Sequence, residues 1–439
     1  MAYHDAQILE RARSLIEAQP SRRLIQLEVL AAVRRNEQWR GRECLNLLAP
    51  EAPTSPTVRA LLASEVGTRA AEGHIGPEGR WFAGTRYIDE IEALCVELLK
   101  RLFRCRYADH RLVAGMIGNL AVYSALTRPG DAIMSLPQPA GGHSSNRSNG
   151  PAGVRGLRIF DIPLDASGLA IDLDTFAQEA DRVRPTLVVL GSTMTLFPRP
   201  VKELAQVVGP WGGRVYYDGA HELGLIAGDQ FPHPLKEGAV VLTGSTGKTL
   251  SGPQGGVIVW DDDTLTPALS EAIFPTLAAT HQVNRVAALA AAAAEFLEFG
   301  KDYMAQVVAN SRALARGLSD RGLAVLGADK GFTRTHQVIV DVTRQGGGHN
   351  SAARLERAGI IVNKNLIPKD RVEEWDRPSG VRIGTTEVTR YGMKEAEMDR
   401  IGEWMAGVLN GTRDPDSVAA DVRHLRAEFP RIGFCFDVN

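Results

Sequence analysis

The chain has 439 residues, 44% of them hydrophobic and 23% charged, with a formal net charge of −2. That balance leaves no electrostatic footprint for nucleic acid or an anionic membrane as partner, and no apolar run reaches the roughly 18 residues needed to cross a bilayer. One hydrophobic core rarely organises a chain of this length, so more than one domain is expected.

The first residues, Met-Ala-Tyr-His-Asp-Ala, have neither the basic start nor the apolar core of a secretory signal. Cys44, Cys95, Cys105 and Cys435 lie far apart with no Cys-x-x-Cys pair. Buried thiols in a reducing cytoplasm are the expectation.

Residues 1–54 are rich in Arg and Glu, with Ile8, Leu15, Ile16, Leu24, Leu27 and Leu30 at helical spacing. They predict an amphipathic helical arm that packs on the body or on a second subunit. Residues 55–290 alternate short apolar runs with helical patterns, the alternation of a large α/β domain. A helix is expected over Tyr87–Phe103, with Ile88, Ile91, Leu94, Cys95 and Leu98 on one stripe. Strands are expected at Asp131–Leu136, Arg158–Leu164, Thr186–Gly191, Arg214–Tyr217, Ala239–Thr243 and Gly256–Trp260. Leu187-Val-Val-Leu190 is apolar on both faces, as buried parallel strands are. An Ala-rich connecting helix, Val283–Phe299, leads into a smaller C-terminal α+β domain over residues 291–439. There the pattern predicts helices at 303–321, 350–358 and 395–410 and strands at 336–342 and 380–384, with Gly346-Gly347-Gly348 as a loop.

The segment Thr243-Gly-Ser-Thr-Gly-Lys248-Thr-Leu-Ser-Gly-Pro-Gln-Gly-Gly256 sets a lysine between an apolar strand and a glycine-rich turn. A nucleotide phosphate loop would need glycine five residues before Gly247, and Leu242 stands there. What remains is a Schiff-base lysine beside a phosphorylated ring, or a plain surface lysine in a turn. About thirty residues earlier comes Val215-Tyr-Tyr-Asp218-Gly-Ala-His221. An acid at the carboxyl end of an apolar strand lies where open α/β sheets meet their ligands. Asp218 could keep the pyridine nitrogen of pyridoxal phosphate (PLP) protonated, which makes the ring an electron sink. Asp218 could otherwise cap a helix. An Asp-x-x-His metal half-site lacks a third ligand nearby, so no metal is expected.

Over about residues 40–400 the chain resembles the serine hydroxymethyltransferases, within the fold-type I PLP enzymes. The resemblance rests on Leu45-Asn-Leu-Leu-Ala-Pro-Glu51, on Ala71-Glu72-Gly73 with Arg80-Trp-Phe-Ala-Gly84, and on Gly141-Gly142-His143. It rests also on Asp218-Gly-Ala-His221, Lys248-Thr-Leu with Gly252-Pro253, and Asn363-Lys-Asn365 followed by Arg382-Ile-Gly-Thr385. It implies a large domain with a mostly parallel mixed sheet between helices, a homodimer with shared active sites, and cleavage or formation of the Cα–Cβ bond of a β-hydroxy amino acid. Lys248 would carry the cofactor, Asp218 protonate its ring, His221 bond near the 3′-oxygen and His143 stack on the ring face. Gly115, Met116, Thr193, Ser245 and Thr246 would complete the cofactor site. Arg382 would hold the substrate carboxylate in a bidentate grip, with Glu51, Trp81 and Phe82 near the substrate. Glu72 would move the proton of the β-hydroxyl.

Several positions depart from the family. Pro50, Ala70, Trp81, Phe82, Ala114 and Met116 stand where hydroxyl side chains are usual, and Gly247 replaces a histidine. The segment Phe274-Pro-Thr-Leu-Ala-Ala279 lacks the usual glycines. Ser245, Thr246 and backbone N–H groups are then the expected phosphate donors. Gln138 and Ser144 fall where apolar residues flank the folate, although Asn365 is kept. Tetrahydrofolate is therefore left open, and a folate-independent threonine aldolase or transaldolase, or another PLP reaction, stays as the alternative.

Overall fold

The computed structural model describes residues 4–19 and 21–436. Seven strands form the central sheet: β1 (Tyr107–Asp109), β2 (Ala132–Ser135), β3 (Arg158–Asp161), β4 (Leu187–Gly191), β5 (Arg214–Asp218), β6 (Ala239–Ser245) and β7 (Gly256–Trp260). Their spatial order is β1-β7-β6-β5-β4-β2-β3. β3, β2, β4, β5 and β6 run parallel, and β7 is antiparallel to both of its neighbours. Every residue of β2, β4 and β7 is buried, as a sheet covered on both faces requires.

Alternate side chains feed two separate cores, because successive Cβ atoms leave a strand on opposite faces. Met134, Leu190, Tyr217 and Leu242 pack with Leu99 and Phe103 on one side. Ile133, Val189, Tyr216 and Val241 pack with Val122 and Leu269 on the other.

Five helices frame this account: α1 (Ala6–Ala18), α2 (Arg22–Gln38), α3 (Arg86–Phe103), α4 (Gly115–Leu126) and α5 (Val283–Asp320). Neither α1 nor α2 contributes a buried residue, so the arm does not pack its apolar stripe on its own body. α4 is apolar almost all round and therefore has no amphipathic stripe to betray it. It is sandwiched between the sheet and the helix Thr266–Ile273.

The helices expected at Val283–Phe299 and 303–321 are one continuous helix of 38 residues. The expected gap falls on Gly300, where a Cβ would overlap the buried Phe296 ring. Close packing, not a helix end, explains that glycine.

The smaller unit holds an antiparallel sheet of β8 (Ala324–Val325), β9 (Gln337–Asp341), β10 (Asn363–Asn365) and β11 (Gly380–Gly384), in the order β10-β11-β9-β8. Its core gathers Leu318, Val340, Ile383 and Met405, and also Leu45 and Leu47 from the amino-terminal segment. Leu45–Asn46 pairs in parallel with Ile360–Ile361.

Gly300→Ala should destabilise the protein by about 1–3 kcal/mol through overpacking, even though alanine favours a helix by up to about 1 kcal/mol. Denaturant titration checks this, and a stabilised variant would mean that the Phe296 ring can step aside.

Candidate active site

Asp218 ends β5 and Ser245 ends β6, so both lie at the carboxyl edge of the parallel strands, where such sheets receive ligands. A cavity of about 180 Å³ opens there. Lys248, three residues beyond β6, lines it together with Asp218, His221 and His143. Gly115 and Met116 from the start of α4, Ser245, Asn119, Ser145 and Ser192 complete the wall.

The Asp218 carboxylate is oriented from two sides. Asn119 Nδ2 donates to Oδ2 at 2.8 Å, and the Ala220 N–H donates to Oδ1 at 3.1 Å. The same Asn119 amide reaches Ser145 Oγ at 2.8 Å and Asn146 Oδ1 at 2.9 Å. Gly191, at the end of β4, leaves room for this cluster. A Cβ there would stand 2.6 Å from Asn146 Nδ2 and 2.7 Å from Asp218 Cβ.

Burial pushes the Lys248 ammonium down to about 8, with Arg382 adding to the effect and Asp218 opposing it. An amine of that kind gives up its proton within reach of neutral pH and can act as a nucleophile. His143 is likewise held below its usual range by burial and by the charges of Lys248 and Arg382. The Ser145 N–H donates to His143 Nδ1 at 3.1 Å, so the neutral ring carries its proton on Nε2.

Arg382 rises from β11 of the small unit. Its Nε donates to Asn363 Oδ1 at 3.0 Å and its Nη1 to the Thr193 carbonyl oxygen. Nη1 also meets His221 Nε2 at 3.4 Å. Guanidinium can only donate, so the proton of His221 sits on Nδ1, 3.4 Å from His336 Nε2. The two rings stack at 5.5 Å with 16° between their planes. Burial drives His221 well below the ordinary imidazole range and His336 down to about 3, so both rings are neutral.

The structure thus gathers Lys248, Asp218, His221, His143, Gly115, Met116 and Ser245 around one cavity, with Arg382 bonded to its His221. Thr193 serves from behind: its N–H donates to the Gly141 carbonyl at 2.6 Å and steadies the His143 loop. Thr246 turns away, its hydroxyl donating to the Pro253 carbonyl at 2.6 Å. Besides Arg382, Thr193 and Thr246, four further predicted residues do not line the cavity of their own chain. Glu51 pairs with Arg40 at 2.7 Å, and Glu72 accepts from Thr280 Oγ1 at 2.5 Å. Trp81 and Phe82 are 63% and 44% exposed. Asn119 and His336 were assigned no role from the sequence. An amide inside the apolar helix α4 is a legible signal for the first, whereas nothing in the sequence joins residue 336 to residue 221.

PLP fits these residues. A buried amine of lowered basicity and an oriented carboxylate share one cavity with a neutral histidine. The α4 N-terminus has no side-chain cap and lies with the Ser245 side chain on the same wall, as donors for a phosphate. Fold and site define a PLP enzyme of fold type I.

The family profile described as serine hydroxymethyltransferase matches residues 25–405. The serine hydroxymethyltransferase of Methanopyrus kandleri is 45% identical over 408 residues, covering 93% of this chain and 94% of that one. That of Pyrococcus horikoshii is 44% identical over 416 residues, covering 93% and 96%. Among solved structures, an L-threonine transaldolase from Pseudomonas fluorescens superposes with a TM-score of 0.85 at 27% identity, over 99% of this chain and 96% of that one. The chain belongs to the serine hydroxymethyltransferase family.

Cofactor capture by the apoenzyme should accelerate as pH rises through about 8 and then level off, because only the neutral Lys248 amine attacks. Stopped-flow absorbance tests this, and a midpoint near the ordinary lysine value of 10.5 would refute the role of burial. Asn119→Ala removes the side-chain donor to Asp218 and should weaken cofactor binding about tenfold to a hundredfold, as loss of a hydrogen bond to a charged group does. Equilibrium dialysis measures it; unchanged affinity would mean that the Ala220 N–H holds the carboxylate alone.

Proposed function

We propose that the chain interconverts serine and glycine by cleaving and forming the Cα–Cβ bond of a β-hydroxy amino acid, with the one-carbon unit passed to tetrahydrofolate. The observation that carries this reading is a buried arginine, Arg382, bonded to the histidine that lines the Lys248–Asp218 cavity. An amino-acid carboxylate and a carbonyl cofactor can then be held side by side. The bound cofactor supplies the electron sink for the pair left on Cα. Arg382 grips the carboxylate and fixes which Cα bond stands ready to break. Asp218 holds a proton at the pyridine nitrogen. His221, with its proton on Nδ1 and its Nε2 facing Arg382, keeps the guanidinium in place.

A second copy of the chain completes the cavity in this reading. Glu72, Trp81, Phe82 and Glu51 lie outside the cavity of their own chain, and Trp81 and Phe82 are large exposed apolar groups that call for cover. The arm helices also expose Ile8, Val29 and Val33. In the partner's cavity Glu72 would take the proton of the β-hydroxyl as the Cα–Cβ bond breaks. No helix among the described residues is long and apolar enough to cross a membrane, all four cysteines are buried without a disulfide, and we take the enzyme to act in the cytoplasm.

Purified enzyme incubated with L-serine or L-threonine, each with and without tetrahydrofolate, tests the reading. Serine should yield glycine only when folate is present, and Lys248→Ala should abolish it. Acetaldehyde from threonine without folate would favour the folate-independent aldolase instead, and glycine formed equally by Lys248→Ala would sink the assignment. Arg382→Ala should raise KM for serine about a hundredfold, the equivalent of roughly 3 kcal/mol for a charged bidentate contact.

A further inference from the structure

Away from the catalytic cavity, Glu92, His110 and His281 bring a carboxylate oxygen and two ring nitrogens within 4.8 Å of one another, all three residues buried. Glu92 lies on α3, His110 directly follows β1, and His281 precedes α5 by two residues. His110 is 3% exposed, and neither of its ring nitrogens has a hydrogen-bond partner. A buried imidazole left bare in this way loses its hydration with no return. Burial also pushes its pKa down to about 4, so its lone pair is open to a Lewis acid at neutral pH.

We propose that Glu92, His110 and His281 form a binding site for a divalent transition-metal cation, zinc before others. Two imidazoles and one carboxylate are a borderline donor set, suited to zinc and poor for calcium or magnesium. His281 Nε2 touches Glu92 Oε1, and His110 Nε2 stands 3.8 Å from Glu92 Oε2. Ligands about 2.1 Å from a tetrahedral zinc lie roughly 3.4 Å apart, so small side-chain rotations suffice. The fourth position would face a cavity of about 170 Å³ that His110 and Glu92 line with His74.

The surroundings orient the carboxylate and temper the affinity. Arg80 Nη2 donates to Glu92 Oε2 at 2.6 Å and pairs with Asp89 at 2.7 Å, as an outer-sphere partner does. Arg285 Nη2 donates to the His110 carbonyl at 2.7 Å. Its positive charge opposes a dication, which selects an ion that bonds nitrogen over one held by charge alone. The ion would brace the segment that carries Glu72. Thr280, beside His281, donates to the Glu72 carboxylate, and Arg80 Nη1 holds the Ala71 carbonyl at 2.6 Å.

The test uses PLP-loaded protein made without a histidine tag, stripped with a chelator and titrated with zinc chloride by calorimetry. One equivalent per chain and a raised melting temperature are expected. Cobalt(II) in place of zinc should give ligand-field absorption to the red of the cofactor band, lost in His110→Ala while the cofactor band persists. No binding by the wild-type chain, or the same cobalt band in His110→Ala, would overturn the assignment.

Discussion

The Asp218 carboxylate is held in place by the protein itself: the Asn119 amide donates to one oxygen and the Ala220 N–H to the other. Asn119 belongs to α4, Asp218 to β5 and Asn146 to the loop after β2, so one amide locks three elements at the sheet edge. The room for that lock comes from Gly191 on the neighbouring strand. With the carboxylate set, Lys248 on the next strand connection faces the same cavity, and everything downstream follows from their shared address.

Low dielectric makes that address chemically useful. Burial lowers the basicity of Lys248 and strips His143, His221 and His336 of charge, each for want of water around the ionised form. Arg382 stays cationic among neutral rings because it carries its own ring of acceptors: Asn363, the Thr193 carbonyl and His221. The small unit thus brings a guanidinium to the cavity's edge, and its neighbours His336 and Gln337 meet the large unit beside it, the first stacked on His221 and the second bonded to Thr193 and Thr195.

The departures from the family pattern cluster where the chain alone looks incomplete. Ala114 and Met116 supply no hydroxyl at the start of α4, and Thr246 is committed to the Pro253 carbonyl. Ser245 and the uncapped amides of α4 are what this chain offers to a phosphate. Trp81, which stands in place of a hydroxyl side chain, instead packs edge-on against Phe274 at 5.1 Å. These changes exchange hydrogen bonds for apolar contact around a site whose amine and carboxylate are kept.

The sequence by itself determined six of the seven central strands, the lysine and acid at their ends, and the family, because strand periodicity and the Lys248 and Asp218 motifs are local patterns. The short strands Tyr107–Asp109, Ala324–Val325 and Asn363–Asn365 carry too few residues to show a period. Gly256–Trp260 matches its expected limits to the residue, since a fully apolar run between glycine and aspartate has few other ways to fold. Only the tertiary structure decided that Asn119 clamps Asp218, that His336 backs His221, that Gly300 is a packing glycine inside one long helix, and that Glu92, His110 and His281 converge. Those contacts join residues from 4 to 189 positions apart, and their energies come from packing and burial, which no short window of residues records.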